Sequence, residues 1–289
     1  MHNWLARNAY LVALSAFAMA ALMNVGVKLL GTDMPLLQIL VARFAVGLIV
    51  LQPAMRAEGG IKHAWNISQR KGLLVSRAAL GLLAVALSFY GFTHLPLAAA
   101  TVLWKTGPML VMLLAGPALG EPAGPKHFIA GLLGLAGTAT MMQPGGGLAW
   151  APVLIMLIGA VSAAISNLQV RELTKTESPT VIVAWYFALA LIPCLLGLPW
   201  VAVVPTWPQA LWLLWVGLAG SLMMMLNTTA YKLMPPATVA AYEYTTLIWA
   251  TLFGWVIWHE WPTLKVWEGA ALILAGSLLA STAKQKARA

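Results

Sequence analysis

Three ionisable residues stand inside long apolar runs: Arg43 in ILVARFAVG, Lys105 in VLWKTGPML and Glu243 in AAYEYTTLIWA. A charge at the centre of a membrane helix costs about 2.5–3.5 kcal/mol on insertion scales, so each needs a partner or a purpose. An acid and a base at one depth can neutralise each other, or they can grip the two ends of a zwitterion. Arg43 either meets a carboxylate or helix-end carbonyls, or serves as a structural anchor. The neighbours suit recognition. Trp104 adjoins Lys105, Tyr242 and Tyr244 flank Glu243, and Tyr90 and Trp185 stand deep in other runs, where rings can stack on aromatic or cationic ligands. Asn24, Asn167 and Asn227 supply amides that either bind substrate or bridge helices.

Bond-making chemistry finds no support. His2, His63, His94, His127 and His259 are dispersed, so no metal-ligand cluster forms, and no GxSxG pattern is present. There is no GxxxxGK[ST] loop to bind ATP, no filter loop and no ring of repeated charges. One cysteine, Cys194, excludes an intrachain disulfide. The expectation is a protein without cofactor or metal that is not an enzyme.

These residues need helices to position them. The 289-residue chain is 61% hydrophobic and 9% charged, with mean hydropathy +0.84. That is too little charge for a water-covered surface and marks a polytopic membrane protein. Apolar runs between breakers predict ten spans at about 8–30, 35–55, 73–93, 97–116, 125–143, 150–174, 179–200, 208–232, 236–258 and 262–282. The opening run continues past the length of a signal peptide and is read as the first span.

The net charge of +9 reflects loop bias rather than nucleic-acid binding. With the N-terminus inside, the inner side collects Arg7, Arg56, Lys62, Arg70, Lys71, Arg77, Lys126, Arg171, Lys175, Lys232, Lys284, Lys286 and Arg288. The outer side keeps Lys28, which snorkels, and Lys265. This predicts N-in, C-in topology. Trp4, Trp65, Trp150, Trp200, Trp207, Trp258, Trp261 and Trp267 fit interfacial belts, whereas Trp249 and Tyr186 join the deeper aromatics.

The chain also repeats. Residues 94–126 align without gaps on 233–265, pairing Pro96 with Pro235, Thr106 with Thr245 and Glu121 with Glu260, and the register continues through Gly137 and Gly276. The paired glutamates read as loop and capping residues of the repeat. NVGVKLL at 24–30 echoes NLQVREL at 167–173. Five helices per repeat forces opposite orientations, with repeats expected at 1–147 and 148–289. In this register Glu243 matches Trp104, so the deep acid and Lys105 lie at nearly one depth. Pro108 removes the N–H that the Trp104 carbonyl would accept, freeing backbone beside them.

The ten-helix plan, the NVGVKLL…MPLLQILVARF opening and LPLAAATVLWKTGPMLVMLLAGPALGEP resemble the EamA-type transporters of the drug/metabolite superfamily, over essentially the whole chain. That resemblance implies alternating access through a cavity lined by helices 1–4 and 6–9, with 5 and 10 peripheral, and an arginine at the place of Arg43. Members include exporters of amino acids, the YddG type among them. The resulting expectation is a bacterial inner-membrane secondary transporter that exports small metabolites, most simply hydrophobic or aromatic amino acids. The alternatives are an exporter of organic cations held by Glu243, a non-transporting scaffold, and a membrane enzyme. The partners are a small-molecule substrate and the lipid bilayer, with proton coupling through Glu243 left open.

Overall fold

The computed structural model describes residues 8–30, 34–58, 70–94, 103–120, 124–142, 150–259 and 264–281. Arg7, Lys62, Trp4, Trp65, Pro96, Glu121, Trp261, Glu260, Lys284, Lys286, Arg288, His2 and His63 lie outside them. The described elements are all helical: α1 Ala9–Leu30, α2 Leu36–Ala57, α3 Lys71–His94, α4 Thr106–Leu119, α5 Pro125–Met142, α6 Trp150–Leu173, α7 Pro179–Gly197, α8 Trp207–Leu233, α9 Pro236–Glu243, α10 Thr245–Trp258 and α11 Leu264–Ser281. A short 3₁₀ turn, Leu198–Trp200, extends α7. Six of the described helices, α1 to α3 and α6 to α8, are long and apolar enough to cross a membrane.

Prolines start the helices where their missing N–H costs nothing. Ser178 caps α7, its Oγ accepting from the Val181 amide at 3.3 Å, with Pro179 in the first turn. Thr206 and Gln209 form a reciprocal cap at the start of α8.

The packing pairs helices in a regular way. α3 lies along α6 and α8 along α1, α2 packs on α7, and α4 and α10 pack on α6 and α1 respectively. α5 and α11 pack chiefly on each other. Their contact is reciprocal: a Cβ at Gly137 would stand 2.6 Å from the Gly269 carbonyl oxygen, and one at Gly276 would stand 2.8 Å from that of Ala130. Each glycine lets the other helix's backbone approach. Thr138 Oγ1 returns to the Gly134 carbonyl at 2.8 Å, as Ser277 Oγ does to Ile273 at 2.9 Å.

One predicted span is broken. The apolar run 236–258 reads as one helix, but it is interrupted at Tyr244 between α9 and α10. No proline causes this. Thr245 Oγ1 donates to the Tyr242 carbonyl at 2.6 Å and Thr246 Oγ1 to that of Glu243 at 2.8 Å, so side chains crowd the carbonyls at the break. The run holding Lys105 breaks likewise: Leu103 and Trp104 are helical, Lys105 is a turn and α4 begins at Thr106. Thr106 Oγ1 donates to the Leu103 carbonyl at 2.7 Å.

Candidate functional site

The two breaks meet. Tyr244 Oη donates to the Lys105 carbonyl at 2.9 Å across a sequence separation of 139 residues. Lys105 Nζ donates to the Glu243 backbone carbonyl at 3.3 Å. Lys105, 6% exposed, therefore touches Glu243 through its backbone carbonyl rather than through its carboxylate. One Lys105 donor is engaged and the ammonium keeps two more. Tyr244 is fully buried, its ring against Gly134 of α5. Trp104 packs toward Met156 on α6.

Next to this crossing, one end of the bundle is sealed. Val12, Ala13 and Phe17 of α1, Leu74 of α3, Val170 and Leu173 of α6, and Ile182 and Trp185 of α7 pack into one buried cluster with Tyr231 of α8 and Tyr242 of α9. Trp185 and Tyr242 thus belong to the seal. Polar ties ring the same end. Arg70 bridges to Glu172 at 2.6 Å, Arg171 Nη1 donates to the Tyr231 carbonyl at 2.9 Å, and Glu58 accepts from Ser178 and from Thr180.

About one helical turn above the seal stand the polar residues of the interior, as a rise of 1.5 Å per residue requires. Asn167 is three residues before Val170, Asn227 four before Tyr231, Arg77 three after Leu74, and Glu243 directly after Tyr242. Asn167, Asn227 and Glu243 are part-exposed and Asn24 is exposed. No hydrogen bond joins the Glu243 carboxylate or the three amides to another described residue, and none of these atoms is fully enclosed. Arg43, 8% exposed, has its Nε enclosed without a partner. Tyr90 sits apart: it is 39% exposed near the end of α3 and stacked on His94 at 3.9 Å.

Arg77 is a correction. Counted from sequence with the inner-side loop charges, it is 3% exposed inside the bundle. α3 begins at Lys71, so position 77 lies well within the helix, and Gly81 one turn on leaves room for its guanidinium. The signal was its place inside the apolar span 73–93. Tyr186, read as one of the deeper aromatics, lies beneath that guanidinium with its ring centroid 3.8 Å from Cζ.

The chain matches the EamA-like transporter family over residues 7–143 and again over 150–282. It belongs to the EamA-like transporters. A riboflavin transporter of Rhizobium johnstonii is 32% identical over 71% of this chain and 68% of its own. The pseudopaline exporter of Pseudomonas aeruginosa is 25% identical over 97% and 98%. An S-adenosylmethionine uptake transporter of Rickettsia bellii is 24% identical over 90% and 88%. A solved crystal structure superposes with TM-score 0.83 at 20% identity, over 94% of this chain and 97% of that one, and shows the same fold. This EamA-like protein is thus a multi-pass membrane transporter rather than an enzyme, and it acts on a small molecule. Names for export and for uptake both occur among its relatives.

Proposed function

We propose that this transporter moves amino acids or similar small zwitterions, with a preference for apolar or aromatic side chains, by alternating access across a bacterial inner membrane. The observation that supports the reading is a polar layer beside a packed end: the part-exposed Glu243 carboxylate and the buried Arg43 guanidinium have no hydrogen-bond partner among the described residues. A carboxylate suits an ammonium and a guanidinium suits a carboxylate. Glu243, Arg43, Asn24, Asn167 and Asn227 line the substrate space, and Trp104 offers an aromatic wall. Lys105 and Tyr244 fix the crossing of the two broken helices, and the spare donors of Lys105 extend the site. Trp185 and Tyr242 act in the seal, and Tyr90 sits at the rim.

The same reading takes the chain as ten spans in two inverted repeats, 1–147 and 148–289, with both termini inside. The reciprocal glycine contacts and the paired breaks support it, since an inverted repeat meets its own equivalent positions at its axis. Export is the direction proposed. Proton coupling through Glu243 is the accompanying possibility that the experiment resolves.

Reconstituted liposomes loaded with a panel of amino acids and organic cations provide the test, with and without a pH gradient. Flux of phenylalanine or leucine above that of their amides supports the zwitterion reading. Dependence on the gradient that disappears in Glu243→Gln supports coupling. Flux of organic cations alone would replace the reading with cation export, and flux of none of them would remove both.

A further inference from the structure

Arg43 and Arg77 are both buried between α2, α3, α7 and α8, and among the described residues no acid forms an ion pair with either. Tyr186 stands between them: Arg77 Cζ lies 3.8 Å over the centre of its ring, and Phe44, next to Arg43 in the chain, packs edge-on to the same ring at 5.5 Å. The neighbouring elements offer Arg77 the Tyr186 side chain and a thioether rather than a carboxylate. Arg77 Nη2 donates to the Met224 thioether at 3.6 Å, and Ser166 Oγ gives its hydrogen to the Arg77 backbone carbonyl at 3.1 Å rather than serving the guanidinium. Arg77 Nε and Nη1 and Arg43 Nε are enclosed without hydrogen-bond partners.

A tyrosine face and a sulfur atom are weak substitutes for a carboxylate. Two buried cations gathered around one aromatic pair, with enclosed N–H groups left unpartnered, are half of a recognition site for an anion. The room is also built in. A Cβ at Gly81 would fall 2.6 Å from Arg77 Nη1, and one at Gly220 would fall 3.2 Å from Arg43 Nε, so each guanidinium occupies space that a larger residue would deny it. Gly81 and Gly220 stand in the same repeat register as Lys105 and Tyr244.

We infer that Arg43 and Arg77 form an anion-receiving subsite that takes the carboxylate end of the transported molecule. The inference rests on the zwitterion reading above and deepens it: the carboxylate goes to the paired arginines on the α2–α3–α7 side, and Lys105 serves the helix crossing. Arg77 is a specificity-determining residue, and Tyr186 fixes the plane in which its donors point.

The experiment is equilibrium binding by titration calorimetry to the purified full chain in detergent micelles. Three probes are used: L-phenylalanine, L-phenylalaninamide, which lacks the carboxylate, and 3-phenylpropionate, which lacks the ammonium. In the native chain both carboxylates bind at least tenfold tighter than the amide. In Arg77→Gln that advantage is lost, with amide affinity kept within twofold, and Arg77→Lys restores part of it. A merely structural role would weaken all three ligands together. Gly81→Ala is the second variant, because its methyl would stand 2.6 Å from Arg77 Nη1 and 3.0 Å from Tyr186 Cε2, moving the guanidinium and its ring together while keeping the charge; it too should lower the carboxylate preference severalfold. Amide and 3-phenylpropionate binding equally well to the native chain would overturn the inference, as would unchanged preference in both variants. Arginine-dependent binding of 3-phenylpropionate without binding of phenylalanine would sustain the anion subsite and refute the zwitterion reading. Binding of none of the three would refute both.

Discussion

Substituting Gly137 by alanine tests the reciprocal contact between α5 and α11. The new methyl would sit 2.6 Å from the Gly269 carbonyl oxygen, 2.8 Å from Ile273 Cγ1 and 3.2 Å from Leu272 Cβ. A carbon–oxygen contact relaxes only near 3.3–3.6 Å, so the helices must part by about 0.7 Å. Backbone cannot swing aside as a side chain can. A gap of that size forfeits roughly a quarter to a half of each dispersion contact along the interface, and overpacking of this kind costs about 1–3 kcal/mol. The expected result is a Tm lower by about 5 °C in detergent, followed by tryptophan fluorescence. Gly276→Ala should cost a similar amount, since its methyl would stand 2.8 Å from the Ala130 carbonyl oxygen. The double variant should then cost less than the two singles together, by about 1 kcal/mol, because the first substitution already separates the helices. Strict additivity, or a Tm unchanged in Gly137→Ala, would refute the reasoning.

Tyr244→Phe removes the bond to the Lys105 carbonyl and should lower stability by about 1 kcal/mol, read as a shift in thermal midpoint. Glu243→Gln should cut flux of ammonium-bearing substrates at least tenfold, by the loss of a charge-assisted bond of about 1.5–3 kcal/mol, with the thermal midpoint kept or raised; unaltered flux in liposomes would exclude it as a ligand. Lys105→Met should fold with little loss, since a buried charge is exchanged for an apolar side chain of similar length. Glu58→Ala releases the ties from Ser178 and Thr180, and a cysteine placed at Val12 in a Cys194→Ser background should then label faster with an impermeant thiol reagent from the sealed end.

Much of this architecture is visible in residue order, because the bilayer demands long apolar helices and prolines and glycines punctuate them. The span predicted at 150–174 is α6, and that at 208–232 is α8 within a residue at each end. The break at Tyr244 was not visible: threonine hydroxyls reaching back to carbonyls look like ordinary helix residues until their partners are known. Residue order brings Lys105 and Glu243 to one register, yet their meeting through a backbone carbonyl follows from crossing geometry that spacing does not contain. Arg77 was misread for a different reason. A positive charge early in a span looks like loop charge, and only the packing of Gly81 and Tyr186 around it reveals that it points inward.

The interruption at Tyr244 also alters the mechanics of the bundle. A continuous rod from Pro236 to Trp258 would carry any tilt at one tip to the other, coupling both sides of the bilayer rigidly. Tyr244 keeps helical dihedral angles, so the interruption removes the continuous hydrogen-bond ladder rather than redirecting the chain. Val239 and Tyr242 of α9 lie in the seal, whereas Leu247 of α10 packs with Val111 and Met112 of α4. Ala237, Ala240 and Ala241 of α9 belong to that second cluster as well, so any motion of α9 out of the seal must shear along α4.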